Sequence, residues 1–139
     1  MVKPAGILKE HYTLIGSPLD YTIRFQNTGT DTAFTVVIKD KISPFLNLET
    51  LESGTSSHDY DLKIQTDTLI FTFSNIMLPD SNVNEPGSHG FVKFKINQAS
   101  DLELGTLIEN EAAIFFDFND PIITNMTQHR LGERVIQVS

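Results

Sequence analysis

Between Tyr21 and Ile38 the chain reads Tyr-Thr-Ile-Arg-Phe-Gln-Asn-Thr-Gly-Thr-Asp-Thr-Ala-Phe-Thr-Val-Val-Ile, two apolar/polar alternating runs around a short polar break. No other stretch limits the fold as tightly. Side chains on a strand point to opposite faces in turn, so Tyr21, Ile23 and Phe25 share one face and Thr22, Arg24 and Gln26 the other. Asn27-Thr28-Gly29-Thr30-Asp31 holds residue types that tolerate turn geometry. Phe34, Val36 and Ile38 then resume the alternation. The pattern predicts a strand–turn–strand unit with one buried and one solvated face.

Elsewhere, helical periodicity is almost absent. Short runs rich in Val, Ile, Phe, Tyr and Thr recur about every ten residues between turn signals, the spacing of a sandwich or barrel. Strands are predicted at Tyr12–Ile15, Leu19–Asn27, Ala33–Lys41, Tyr60–Gln65, Thr68–Ser74, Gly90–Asn97 and Leu107–Phe118, with a further one around Arg134–Val138. Leu69, Phe71 and Phe73 alternate with Ile70, Thr72 and Ser74. Phe91, Phe94 and Ile96 break alternation near Val92-Lys93, which predicts a bulge or a strand end buried on both faces. Ile114-Phe115-Phe116 is continuously apolar, as a central strand covered on both sides is. Glu49–Asp59 and Leu78–His89 read as the long connections, and connections of that length are functional or mobile.

At 139 residues, 40% hydrophobic and with ten Phe, the chain is expected to form one domain over 1–139 with a real core. Met1–Gly6 is expected to be a flexible start, and Gly132–Ser139 a terminal strand or tail. No apolar run approaches a membrane-spanning length, and Met1-Val2-Lys3-Pro4 opens no signal peptide. The net charge of −8, without a Lys/Arg cluster, argues against nucleic acid and anionic membranes as partners. With no cysteine there are no disulfides, thiolate nucleophiles or Cys-based zinc sites.

Two acidic segments could hold a ligand. Asp117, Asn119 and Asp120 lie within four positions at a predicted strand end, where hard oxygen donors suit calcium. The competing reading makes Asp117 and Asn119 turn caps, with Pro121 ending the ladder. Asp80, Asn82, Asn84 and Glu85 alternate like the start of an EF-hand loop. The match then fails at Glu85, where glycine is wanted, and at Phe91, where a bidentate Glu is needed. They read mainly as a solvated loop. No cofactor is required by any motif, and calcium is the one candidate. The four histidines are scattered and form no zinc pattern. Ser57-His58-Asp59 is contiguous, and adjacent side chains are expected to point apart rather than form a triad. No set of nucleophile, base and oxyanion donors emerges, so an enzyme is not expected. Asn125-Met126-Thr127 spells a glycosylation sequon.

Tyr21–Ile38, Leu78–Phe91 and Ile108–Asn125 together resemble the repeat domains of unknown function in large secreted and cell-surface proteins of Bacteroidetes. Those domains commonly stand next to the C-terminal sorting segment of the type IX secretion system, and no such segment is expected within residues 1–139. The resemblance runs from about Leu19 to about Thr127. It implies an all-β, immunoglobulin-like antiparallel β-sandwich of about seven to nine strands. It also implies an extracellular or outer-membrane location and a non-catalytic spacer role beside neighbouring domains of a longer chain, which calcium at Asp117, Asn119 and Asp120 would stiffen. The alternative is an adhesive domain that binds glycan or protein through Leu78–His89. Some surface-protein sandwiches also form a Lys–Asn amide, and Lys39 and Asn110 both fall on predicted strands, with Asp40, Glu109 and Glu111 close in sequence. Lys39, however, falls on the polar face, while such a bond needs a dry core and an exposed lysine is the usual state.

Overall fold

The computed structural model describes residues 12–133. The start Met1–Gly6 and the late strand around Arg134–Val138 lie outside the described residues, as does most of the Gly132–Ser139 tail. Eleven strands are described: β1 (Tyr12–Leu14), β2 (Leu19–Gln26), β3 (Val36–Lys41), β4 (Leu46–Ser56), β5 (Asp61–Gln65), β6 (Thr68–Phe73), β7 (His89–Gln98), β8 (Leu107–Asn110), β9 (Ala112–Phe116), β10 (Ile122–Ile123) and β11 (Thr127–Gly132). The only helical element among these residues is one 3₁₀ turn, Pro86–Ser88. Strands of two or three residues such as β10 and β1 carry the count past what alternation suggests.

Two antiparallel sheets form the sandwich, ordered β2-β7-β4 and β10-β9-β3-β6-β5. A third, β1-β11-β8, flanks them, and its β1–β11 pairing is parallel. The strands alternate as an antiparallel sheet with one dry face requires. Tyr21, Ile23 and Phe25 point inward from one layer; Val36, Ile38, Leu69, Phe71 and Phe73 point inward from the other. Phe25 meets Phe73 at 5.2 Å between ring centroids and Phe71 meets Phe94 at 6.0 Å, so aromatic contacts join the layers. Gly90 pairs with Phe25, and a Cβ there would come within 2.3 Å of the Phe25 ring. Only glycine lets β7 pass under that ring.

The Tyr21–Ile38 hairpin is corrected. β2 pairs with β7, whereas β3 pairs with β6 and β9 in the other sheet. The intervening residues form a corner that crosses between layers. Buried Asn27 holds that corner: its Nδ2 donates to Asp31 O at 2.8 Å and to Leu78 O at 3.0 Å, and its Oδ1 accepts from Gly29 N at 3.0 Å. Phe34 therefore falls outside the alternation and is 54% exposed.

The bulge expected in β7 is absent, since its register with β2 runs unbroken from Leu19↔Ile96 to Gln26↔His89. Val92, Phe94 and Ile96 face inward and Phe91 faces out. The irregularity lies in the partner: β4 shifts register against β7 twice. Much of β4 falls within Glu49–Asp59, the expected connection; this edge strand is largely exposed and has no clean alternation. The stretch read as Leu107–Phe118 is two strands in different sheets, divided at Glu111. Phe115 is only half-buried, with the Lys39 ammonium 5.3 Å from its ring centre.

Candidate functional site

The Leu78–His89 loop is built from its own polar groups. Asp80 is buried; its carboxylate accepts from Asn82 N at 3.2 Å, and its carbonyl from Val83 N and Asn84 N. The Asn84 side chain accepts from Gly87 N at 3.0 Å, and Glu85 O takes the Ser88 hydroxyl at 2.6 Å. Glu85 Oε2 lies 2.8 Å from His89 Nε2, an exposed pair. Ser81 N donates to Asn27 O, and Ala33 bridges Leu78, which seats the loop on the β2–β3 corner. Of the four predicted ligand residues, Asp80 is inside and Asn84 and Glu85 are engaged within the loop. Asn82 is exposed, beside Val83 at the tip.

Asp117 caps a turn. Its Oδ1 accepts from Phe34 N and Thr35 N, each at 2.9 Å, and its backbone sits at φ 54°, a region Asp tolerates better than most residues. Asn119 N donates to Phe116 O, continuing the turn, and Asp120 is exposed. Among the described residues no three His, Cys, Asp or Glu side chains gather as a metal site would need.

Ser57 and His58 do not point apart as expected: Ser57 Oγ lies 2.7 Å from His58 Nδ1. The same hydroxyl is bound to the Phe91 backbone, accepting from its N–H at 2.8 Å. It pins the end of β4 against β7.

The polar group that alternation hid lies in the core. Asp40 follows Val36 and Ile38 in phase, so the strand that buries them buries it completely. Asn110 follows Ile108 in the same way on β8, and its Nδ2 donates to Asp40 Oδ2 at 3.0 Å. Burial raises the Asp40 carboxyl to about 7, and the Asn110 bond pulls it back only in part. Tyr21 is pushed up to about 12, first by burial and then by the negative charge of Asp40. Tyr21 also packs edge-on against His129 of β11, whose own pKa is lowered by burial and whose Nδ1 meets Thr13 Oγ1 at 2.9 Å. Sequence reasoning placed Asp40 only as a neighbour of Lys39. The available signal is parity: Asp40 is in phase with Val36 and Ile38 on one strand and shares their face.

Lys39 itself is exposed on the opposite face of β3 from Asp40. This is the polar-face position that argued against an amide to the inward-facing Asn110.

The family described as a domain of unknown function (DUF7619) matches residues 3–130, and the chain belongs to it. None of the curated proteins matches. Among solved structures, the chain is similar to the Actinomyces fimbrial adhesin FimA, with a TM-score of 0.57 and 14% identity. That match covers 88% of this chain and 53% of FimA, so the chain spans about half the length of that relative. It is also similar to the collagen-binding subdomain of the Enterococcus faecalis surface protein ACE, with a TM-score of 0.51, 14% identity and coverage of 81% and 87%. At these identities the likeness is one of fold: an immunoglobulin-like β-sandwich.

Proposed function

We propose that this member of the DUF7619 family is a non-catalytic structural spacer of a secreted or cell-surface protein. The observation that carries the reading is that three of the seven side chains nominated for ligand binding, Asp80, Asn84 and Asp117, serve to hold the fold. Asp80 and Asn84 brace their loop, and Asp117 caps a turn. The surface-adhesin fold supports a place outside the cell. The resemblance to Bacteroidetes surface proteins supports export by the type IX route, with neighbouring domains of one chain as partners. The test replaces the domain, within its full-length protein, by an unrelated sandwich of similar span. A spacer predicts that display and activity of the neighbouring domains persist; their loss overturns the reading.

Adhesion is the second reading, favoured by one feature. Phe34 and Phe118 are 54% and fully exposed, and the Asp117 side chain between them in the fold ties the two turns together. Exposed aromatics on one end of a sandwich suit contact with another protein or a glycan. Phe34→Ser with Phe118→Ser should abolish binding to a glycan or protein array if adhesion is the role. A spacer gives no array signal to lose.

A further inference from the structure

Phe118, Ile122, Ile123 and Met126 are all large, apolar and exposed, and they fall in the one short stretch that follows β9 and contains β10. Phe118 is the extreme case, fully exposed in the turn after Asp117. Single exposed apolar residues are ordinary on a folded protein, whereas a contiguous group marks a contact surface. β10 is also the outermost strand of its sheet among the described residues, paired only with β9. An edge strand invites another chain unless charge or proline guards it. Pro121 stands before β10, but both positions of the strand itself are isoleucine, and both are exposed.

The same arm borders a cleft of about 340 Å³ on the outer face of the sheet. Ala113, Ile123 and Met126 give it an apolar side, and Lys39 and Lys41 a cationic one. Ala113 is its floor: Ile123, Ala113 and Lys39 stand level on β10, β9 and β3, so two long side chains wall a methyl group. The row continues to Ile70 on β6, which puts no acid beside Lys39. Glu109 and Glu111 line the cleft as well. Glu111 is one step past the Ala112–Asp40 pair and falls beside Lys41. Lys39 is left as the cation with no ion pair among the described residues.

The arm thus carries an aromatic knob, Phe118, with the exposed acid Asp120 two positions on, next to an apolar cleft with an uncompensated cation. Each half is the complement of the other. We propose that two copies of this chain associate through the Phe118–Met126 arm, each Phe118 seated in the partner copy's cleft and each Asp120 facing the partner copy's Lys39. Knob and cleft are successive parts of one β9–β10 unit, so a two-fold axis between the copies makes both contacts at once and the interface closes as a dimer. Met126 suits the task, because an unbranched thioether adapts to an inserted ring. The net charge of −8 opposes self-association at long range, so the dimer is reversible and forms at high concentration. A dimer goes beyond the spacer reading and stands apart from it. A monomer leaves that reading intact, and failure of the domain replacement does not touch the dimer.

The test is sedimentation equilibrium of the 139-residue chain from micromolar to millimolar concentration. The expected result is a reversible monomer–dimer equilibrium. Phe118→Asp removes the knob and Ala113→Arg fills the cleft. Each variant alone should stay monomeric, with circular dichroism confirming the fold. Mixed, the two should recover a heterodimer, because one copy keeps an intact cleft and the other an intact knob. It should be weaker than the wild-type dimer, having one contact in place of two. Asp120→Lys and Lys39→Glu should each weaken the dimer, and the two together should restore it. Phe34→Ser, outside the arm, should leave it unchanged. A wild type that is monomeric at millimolar concentration overturns the proposal. So does a dimer that survives Phe118→Asp, a mixture of the two variants that stays monomeric, or association that runs on past the dimer, which marks a contact that does not close.

Discussion

The Leu78–His89 loop and the Asp40–Asn110 pair are both polar, and they satisfy their polar groups in opposite ways. In the loop, at the surface, Asp80, Asn84 and Ser88 all find partners close in sequence. In the core, the Asp40–Asn110 pair shares one hydrogen bond across 70 positions and leaves an oxygen on each side chain unpaired. Water is available to the first and withheld from the second, so a missing bond is tolerable only in the loop. A complete set of local bonds marks a region that supports itself. An incomplete buried set marks one that waits for a proton or a further group.

The largest expected effect comes from pH. Asp40 is raised from 3.8 to about 7 in the folded chain, so the folded state holds a proton that the unfolded state has released. Its contribution is full below the unfolded value and is lost as pH rises through about 7, by roughly 4 kcal/mol at about 1.4 kcal/mol per unit. His129, lowered by burial, acts in the opposite sense: its contribution is present above the ordinary histidine value and falls away in acid. Urea unfolding at pH 5 and pH 8 should show stability falling with pH in the wild type, with a flatter slope in Asp40→Asn. Equal slopes in the two proteins would sink the idea that Asp40 is folded as a neutral acid.

How much of this was visible in the sequence depended on parity. Tyr21, Ile23, Phe25, Leu69, Phe71 and Phe73 face the core as alternation requires. Parity says which face a residue takes, but not which strand lies beside it. The turn residues Asn27–Asp31 were therefore read as a hairpin, although the same types build a corner between sheets when a buried asparagine fills it. β4 escaped because a bulged edge strand has little reason to alternate. The Asp40–Asn110 pair was hidden for another reason. Each residue sat in phase with an apolar run, but their meeting depends on long-range packing between β3 and β8. The candidate ligand segments were legible as acidic and turn-rich, and the turn-capping alternative described Asp117 correctly.

Asn27 gives the next largest effect, because it is the buried anchor of the otherwise local loop system. Asn27→Ala removes two donated bonds and one accepted bond. It leaves the Leu78 carbonyl short of one donor, at an expected cost of about 2–3 kcal/mol in chemical denaturation. A cost below about 0.5 kcal/mol would mean that the corner holds without it. Asp117 should matter less, since its cap is partly solvated. Asp117→Ala strips an acceptor from two backbone N–H groups and should cost about 1–2 kcal/mol. Asp117→Asn should cost less, because its amide oxygen still accepts and asparagine tolerates the positive φ. Adding calcium, then EDTA, should leave the wild-type melting temperature in place. A reversible rise lost in Asp117→Asn would restore the cation reading of Asp117, Asn119 and Asp120.

The smallest effect belongs to Glu85 and His89. Their contact is short, 2.8 Å, but the side chains are 62% and 51% exposed. At that exposure water competes for both groups, and salt screens what remains. Glu85→Gln should change stability by less than about 0.5 kcal/mol, within reach of a careful denaturation comparison. Its backbone carbonyl would go on accepting from Ser88, so the loop geometry persists. A loss above about 1.5 kcal/mol would show that the loop depends on this contact. The contrast with the core would then weaken, because a surface charge contact would carry weight of the order assigned to buried Asn27.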